Sequence, residues 1–145
     1  MARRAVKSIL RLVLMVVLAL LIGVALYVRN APTDPARWHR MPDTVAPADL
    51  PDGAVRVIEG GEADLRRLHA IITATPRTRV LAGSPDQGMI TYVTRSAVFG
   101  FPDYTTVRRR GGVIEIFGRL RYGVSDLGVN AERIDGWLRQ LAQGG

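Results

Sequence analysis

Residues 12–28 form an apolar run with no charge in it. If Arg11 snorkels its guanidinium to an interface, Ile9 and Leu10 join the run. About twenty helical residues rise roughly 30 Å, the thickness of a bilayer's hydrocarbon core. The pattern therefore predicts a basic N-terminus over residues 1–8 and a transmembrane helix over 9–28. The rival is a cleaved signal peptide, whose apolar core usually runs about 7–15 residues before a small-x-small site. The run here is longer, and residues 25–31 (Ala-Leu-Tyr-Val-Arg-Asn-Ala) hold no such site. An uncleaved anchor is the favoured reading.

Beyond the run the periodicity changes several times. Residues 29–53 carry Pro32, Pro35, Pro42, Pro47 and Pro51, which block helix and sheet alike, so this segment reads as an extended tether. Trp38 within it would sit at headgroup level or pack on the domain. Residues 54–58 alternate as a short strand. Residues 62–75 place Leu65, Leu68, Ile71 and Ile72 on one helical stripe, with Glu62 and Arg66 as an i,i+4 pair and Pro76 as the stop. Strands are expected over 77–82 and 89–96, separated by a turn cluster at 83–88.

Gly111-Gly112 suits a two-residue hairpin turn. That register pairs Arg110 with Val113, Arg108 with Glu115, Thr106 with Phe117 and Tyr104 with Arg119. The opposite face then gathers Val107, Ile114, Ile116 and Leu120 as the core side. Asn130 is expected to cap a last helix, with Val129 and Ile134 as a hydrophobic staple and Ile134, Trp137, Leu138 and Leu141 as its buried stripe. Gly136 weakens that helix, which points to close packing on the sheet. The order of elements argues an α+β domain over residues 54–145, a small antiparallel sheet with two helices covering one face.

The formal net charge of the 145-residue chain is +7, which invites a nucleic-acid reading until the charge is located. All 13 acidic residues lie after Asn30 with 15 of the 20 basic ones, a balance of only +2 for that part. The other positives, Arg3, Arg4, Lys7, Arg11 and Arg29, flank the apolar run, most of them before it. The positive-inside rule then orients a bacterial inner-membrane protein with a cytoplasmic N-terminus and a periplasmic domain. Nucleic acid is not an expected partner; the lipid bilayer is, together with an envelope protein or a small anionic ligand. The chain has no cysteine, which excludes disulfides, thiolate metal sites and lipid attachment through a cysteine.

Three stretches carry a resemblance. Residues 92–96 (Tyr-Val-Thr-Arg-Ser), residues 100–104 (Gly-Phe-Pro-Asp-Tyr), and residues 121–130 (Arg-Tyr-Gly-Val-Ser-Asp-Leu-Gly-Val-Asn) with Arg133 resemble the bacterial and plant family catalogued as domain of unknown function 1499. The resemblance covers roughly residues 54–141, and the spaced motif Arg-x-Gly-x-Ser-Asp-x-Gly-x-Asn carries most of it. Gly118 and Leu120 stand where many family members have serines, so no role of those hydroxyls is carried over. The resemblance implies the fold and an envelope location; it implies no activity.

Candidate chemistry is sparse. His39 and His69 are the histidines, and no nucleophile elbow surrounds Ser84, Ser96 or Ser125. No metal-ligand spacing is present, so neither a metal nor a cofactor is expected and no residue is assigned as catalytic. The polar set Arg95, Asp103, Arg119, Arg121, Asp126 and Asn130 has two readings. It could hold a carboxylate, phosphate or lipid headgroup near a helix N-terminus. Alternatively Arg95–Asp103 and Arg121–Asp126 are internal ion pairs and Asp126 organises a turn. Arg108, Arg109 and Arg110 at the hairpin either discourage edge pairing or touch anionic headgroups. A binding module is the leading expectation, with an enzyme acting on an envelope metabolite or lipid as the alternative.

Overall fold

The computed structural model describes Ala2–Gly144. Met1 and Gly145, the outer ends of the expected basic N-terminus and of the domain, lie outside the described residues. Helix α1 (Ala2–Asn30) takes up the apolar run and is long and apolar enough to cross a membrane, as an anchor or a signal sequence would be. Its last turn differs from the rest of it. Val28 and the following Ala31 are buried, while the residues before them are mostly exposed.

The strands are β1 (Ala48–Leu50), β2 (Gly53–Glu59), β3 (Thr78–Ser84), β4 (Met89–Arg95), β5 (Pro102–Arg110) and β6 (Val113–Leu120). They build one antiparallel sheet in the order β1-β2-β6-β5-β4-β3. The hairpin pairs Arg110 with Val113, Arg108 with Glu115, Thr106 with Phe117 and Tyr104 with Arg119, the expected register. Gly111 turns the chain with φ 63°, and the Arg108 and Glu115 side chains meet at 2.6 Å. A slip by one residue would bury that pair's charges against the helices instead.

Helix α3 (Glu62–Thr73) and helix α4 (Val129–Gln143) cover one face of the sheet. The core is Leu65, Leu68 and Ile72 from α3 and Ile134, Trp137 and Leu141 from α4, against Ala54, Ile90, Tyr92, Val107, Ile114 and Ile116 of the sheet. Glu62 and Arg66 pair as expected, at 2.8 Å. The Trp137 indole donates to Thr75 Oγ1 at 2.8 Å, joining the end of α3 to α4. Gly136 departs from expectation: a Cβ there would meet only the tip of Arg139, at 3.7 Å, so close packing is not its reason.

The larger correction concerns residues 29–53. The segment is no free tether but a strap that covers the sheet's second face. A short helix α2 (Pro35–Trp38), capped by Asp34, stacks the Trp38 ring on Tyr104 with centroids 3.9 Å apart. The chain then follows β5 from its start to its end and enters the sheet as β1, which precedes the expected first strand. Prolines deprive this segment of donors for a ladder, and arginines in or just after the facing strands take its carbonyls, and that of Val28 at the end of α1, instead. Arg95 donates to Val28 O, Arg121 to Pro32 O, Arg119 to Trp38 O, Arg108 to Pro42 O and Arg110 to Asp43 O.

Candidate functional site

Alternation along the strands divides the expected polar set between the two faces of the sheet, so it does not converge on one site. On the helix side are Asp103, Asp126 and Asn130, joined by Arg133. Arg133 donates to Asp103 Oδ2 at 3.1 Å and to Asn130 Oδ1 at 2.8 Å. Asp126 accepts from the Gly128 N–H at 2.9 Å, and from the Asn130 N–H and amide at 2.9 and 2.8 Å. The expected pairs Arg95–Asp103 and Arg121–Asp126 are not the ones formed: the arginines lie across the sheet. Asn130 is not the cap either. Gly128, at φ 80°, starts the helix one residue early, so Val129 is its first residue and not the outer half of a staple. Asp126 reaches in to satisfy the free N–H groups at that start.

The two carboxylates respond oppositely. Burial lifts the Asp103 carboxyl above the usual range, against the pull of Arg133. Burial also opposes the Asp126 charge, but the bonds from Asn130 and Gly128 and the nearby Arg133 outweigh it, leaving its pKa below the usual value. A depressed carboxylate stabilises the fold above its unfolded pKa, and that stabilisation disappears as pH falls through the folded value. Asp126→Ala should therefore cost about 2 kcal/mol at neutral pH, since it removes a cap and orphans the buried Asn130. Chemical denaturation against pH checks this: the gap from wild type should narrow progressively as pH falls below about 4, and a gap constant with pH would refute the account.

On the opposite face, Arg119 carries the arrangement most suited to a ligand. Its guanidinium donates to Thr106 Oγ1 at 3.2 Å and to the carbonyls of Phe117, Trp38 and Arg40. It lies 4.6 Å from the Phe117 ring centroid and 5.5 Å from that of Trp38. Beneath it runs a chain of hydrogen bonds: His39 Nδ1 to Thr91 Oγ1 at 2.9 Å, and Thr91 to Thr106 at 2.9 Å. Among the described residues no carboxylate pairs with Arg119, and burial lowers its pKa to about 10. Arg119 lines a pocket of about 430 Å³ together with Trp38, Met41, Pro42 and Phe117 and the exposed Arg37 and Arg40. Arg37 and Arg40 had no place in the expected set. Their signal in the sequence is a tryptophan set between arginines in an otherwise polar, proline-rich stretch.

Arg121 donates to Tyr104 Oη at 3.2 Å as well as to Pro32, and serves the strap more than the pocket. Arg95 donates to Gly100 O at 2.8 Å near the end of α1. Arg108, Arg109 and Arg110 lie at the other end of β5, roughly 25 Å along the strand at about 3.3 Å per residue. Arg108 and Arg110 donate to the covering segment and Arg109 turns to the helix face. No curated protein matches the sequence. A family model described as "Protein of unknown function (DUF1499)" matches residues 28–141, starting in the last turn of α1, and the chain belongs to that family.

Proposed function

We propose that the protein is a single-pass, membrane-anchored envelope protein, with a cytoplasmic N-terminus and a periplasmic domain that binds a small anionic ligand. The asymmetry of basic residues about α1 supports the orientation. The packing of its last turn supports an anchor over a cleaved leader. Val28 and Ala31 are buried against the domain and Arg29 donates to Val98 O at 3.0 Å, contacts that cleavage near that point would strip away.

The binding reading rests on one observation: Arg119 is half-buried, has no carboxylate partner among the described residues, and lines a pocket together with further arginines. A buried cation without a counterion is costly, and an anion entering the pocket relieves that cost. Trp38 and Phe117 favour an anion with a flat or apolar body. The alternative, an enzyme acting on an envelope metabolite or lipid, needs a nucleophile or a base facing the ligand. The pocket wall offers arginines, aromatic rings, Met41 and Pro42.

Thermal unfolding of the full chain in detergent, titrated with phenyl phosphate and with neutral benzamide, tests the reading. Phenyl phosphate should give a saturable rise in melting temperature and benzamide none. Arg37→Gln with Arg40→Gln should weaken phenyl phosphate about tenfold while leaving the ligand-free melting temperature nearly unchanged, because both side chains are exposed. Equal shifts from both compounds, or an affinity unaffected by the substitutions, would count against an anion site.

A further inference from the structure

At the end of the sheet where α1 meets the domain, several unusual features coincide. Among the described residues outside α1, the exposed large hydrophobic side chains are Val80, Val98, Phe99, Val124, Leu127 and Val129. All but Val80 belong to the β4–β5 connection, the β6–α4 loop or the first residue of α4, which share this end. Val124 and Leu127 are 89% and 91% exposed, more than any large hydrophobic side chain described in α1 itself. The two loops touch through aromatic rings, Phe99 to Phe101 at 5.9 Å and Phe101 to Tyr122 at 6.1 Å. Isolated exposed apolar residues are ordinary; a set confined to one rim is not.

The same rim holds a basic cleft. A pocket of about 410 Å³ is lined by Arg29, Arg77, Arg95, Ser96, Ala97 and Gly100, with no acidic residue. Arg95 is fixed by its bonds to Gly100 O and Val28 O, and Arg77 by its Nε bond to Arg95 O at 3.1 Å. Backbone strain marks both parts of the rim. Arg77 at φ 60° and Leu127 at φ 53° are the non-glycine residues with positive φ among those described. A side chain in that region costs free energy a glycine would not, and such strain gathers where a particular side chain is needed.

We propose that this rim rests on the bilayer from which α1 emerges, with Val98, Phe99, Val124 and Leu127 in the interfacial layer and a phospholipid phosphate in the Arg29/Arg77/Arg95 cleft. The proposal rests on the reading of α1 as a membrane span. The occupant follows from continuity: Arg29 belongs at once to the last turn of α1 and to the cleft, so the cleft lies at headgroup depth when α1 is in a bilayer. The apolar loops lie at the same end of the sheet as the cleft, the β4–β5 connection bordering it and the β6–α4 loop next along the rim. The strap holds this geometry, since it fixes the domain to the end of α1 instead of letting it drift away.

The chain has no cysteine, so single cysteines can be introduced into the full-length protein without removing others. Spin labels at Val98→Cys, Leu127→Cys, the distal Gly112→Cys and the mid-helix Leu18→Cys would be read in vesicles of phosphatidylcholine with phosphatidylglycerol. Collision with oxygen and with a water-soluble nickel complex gives the depth of each. Positions 98 and 127 should lie at the interface, 112 in water and 18 deep in lipid. Positions 98 and 127 as water-exposed as 112, with 18 deep, would overturn the rim and leave the span intact; 18 in water would overturn the span, and the rim with it. For the cleft, native mass spectrometry of detergent-released protein should show retained phospholipid. Arg77→Gly should lose most of it while the melting temperature holds or rises, because glycine relieves the strained backbone. Retention equal to wild type would overturn the phosphate assignment.

Discussion

Full-length protein carrying Gly53→Ala is expected to lose at least about 3 kcal/mol of stability, because the new methyl has no room. A Cβ at that position would lie 2.1 Å from the Gly118 carbonyl oxygen and 3.1 Å from Arg119 Cα. Both neighbours are backbone of β6, so relief requires β2 to move off the strand it pairs with, and no rotamer change suffices. Gly136→Ala is the matching control. Its Cβ would meet only a flexible arginine tip, and alanine in a helix interior gains about 0.5–1 kcal/mol over glycine. Thermal or urea unfolding of both in detergent checks the pair. A Gly53→Ala protein as stable as wild type would mean that β2 and β6 are not in this register.

Trp38→Ala should remove about 3 kcal/mol and lower the melting temperature by roughly 10 °C. The ring is the largest side chain of the strap and stacks at 3.9 Å on Tyr104, which is itself 0% exposed. Without it the Tyr104 ring is uncovered and Arg119 loses one aromatic wall. The more telling readout is local. Trypsin should cut after Arg37 and Arg40 in the variant much faster than in wild type, before the sheet is attacked. If the sites are equally accessible in both, the strap is not held by Trp38, and the carbonyl bonds from the arginines carry it alone.

The expected elements were legible where adjacent residues carried their signal. The β5–β6 hairpin could be set in register because Gly111-Gly112 marks the turn and Arg108 faces Glu115 across it. Helices α3 and α4 showed their buried stripes directly. The strap was not legible, because what holds it lies in side chains distant in sequence. Prolines report that a segment cannot form a ladder; they do not report that guanidiniums from other strands will take its carbonyls. A hint was present all the same. The hairpin register places Arg108, Arg110 and Arg119 on one face with Tyr104 and Phe117, and aromatic rings on a sheet face ask for cover. The candidate site was half legible for the same reason. Arg119 belonged to the expected set, whereas Arg37 and Arg40 lay in a segment read as tether. The cap was misplaced by position alone, since Gly128 opens α4 early and moves the capping task from Asn130 to Asp126.

The strap also sets an order of events as the chain is made. Its residues leave the ribosome before strands β2 to β6, yet the groups that hold it come from the later part of the polypeptide. Trp38 and Arg119 are separated by 81 positions, Pro32 and Arg121 by 89. Contacts that close loops of this size form late, after the local hairpins have repaid their own entropy. The nascent domain is therefore expected to assemble its helix-covered layer first and to wait with the other face of the sheet bare. In a refolding experiment, trypsin sensitivity at Arg37 and Arg40 should persist after the strands have formed and end only when the strap docks on the bare face.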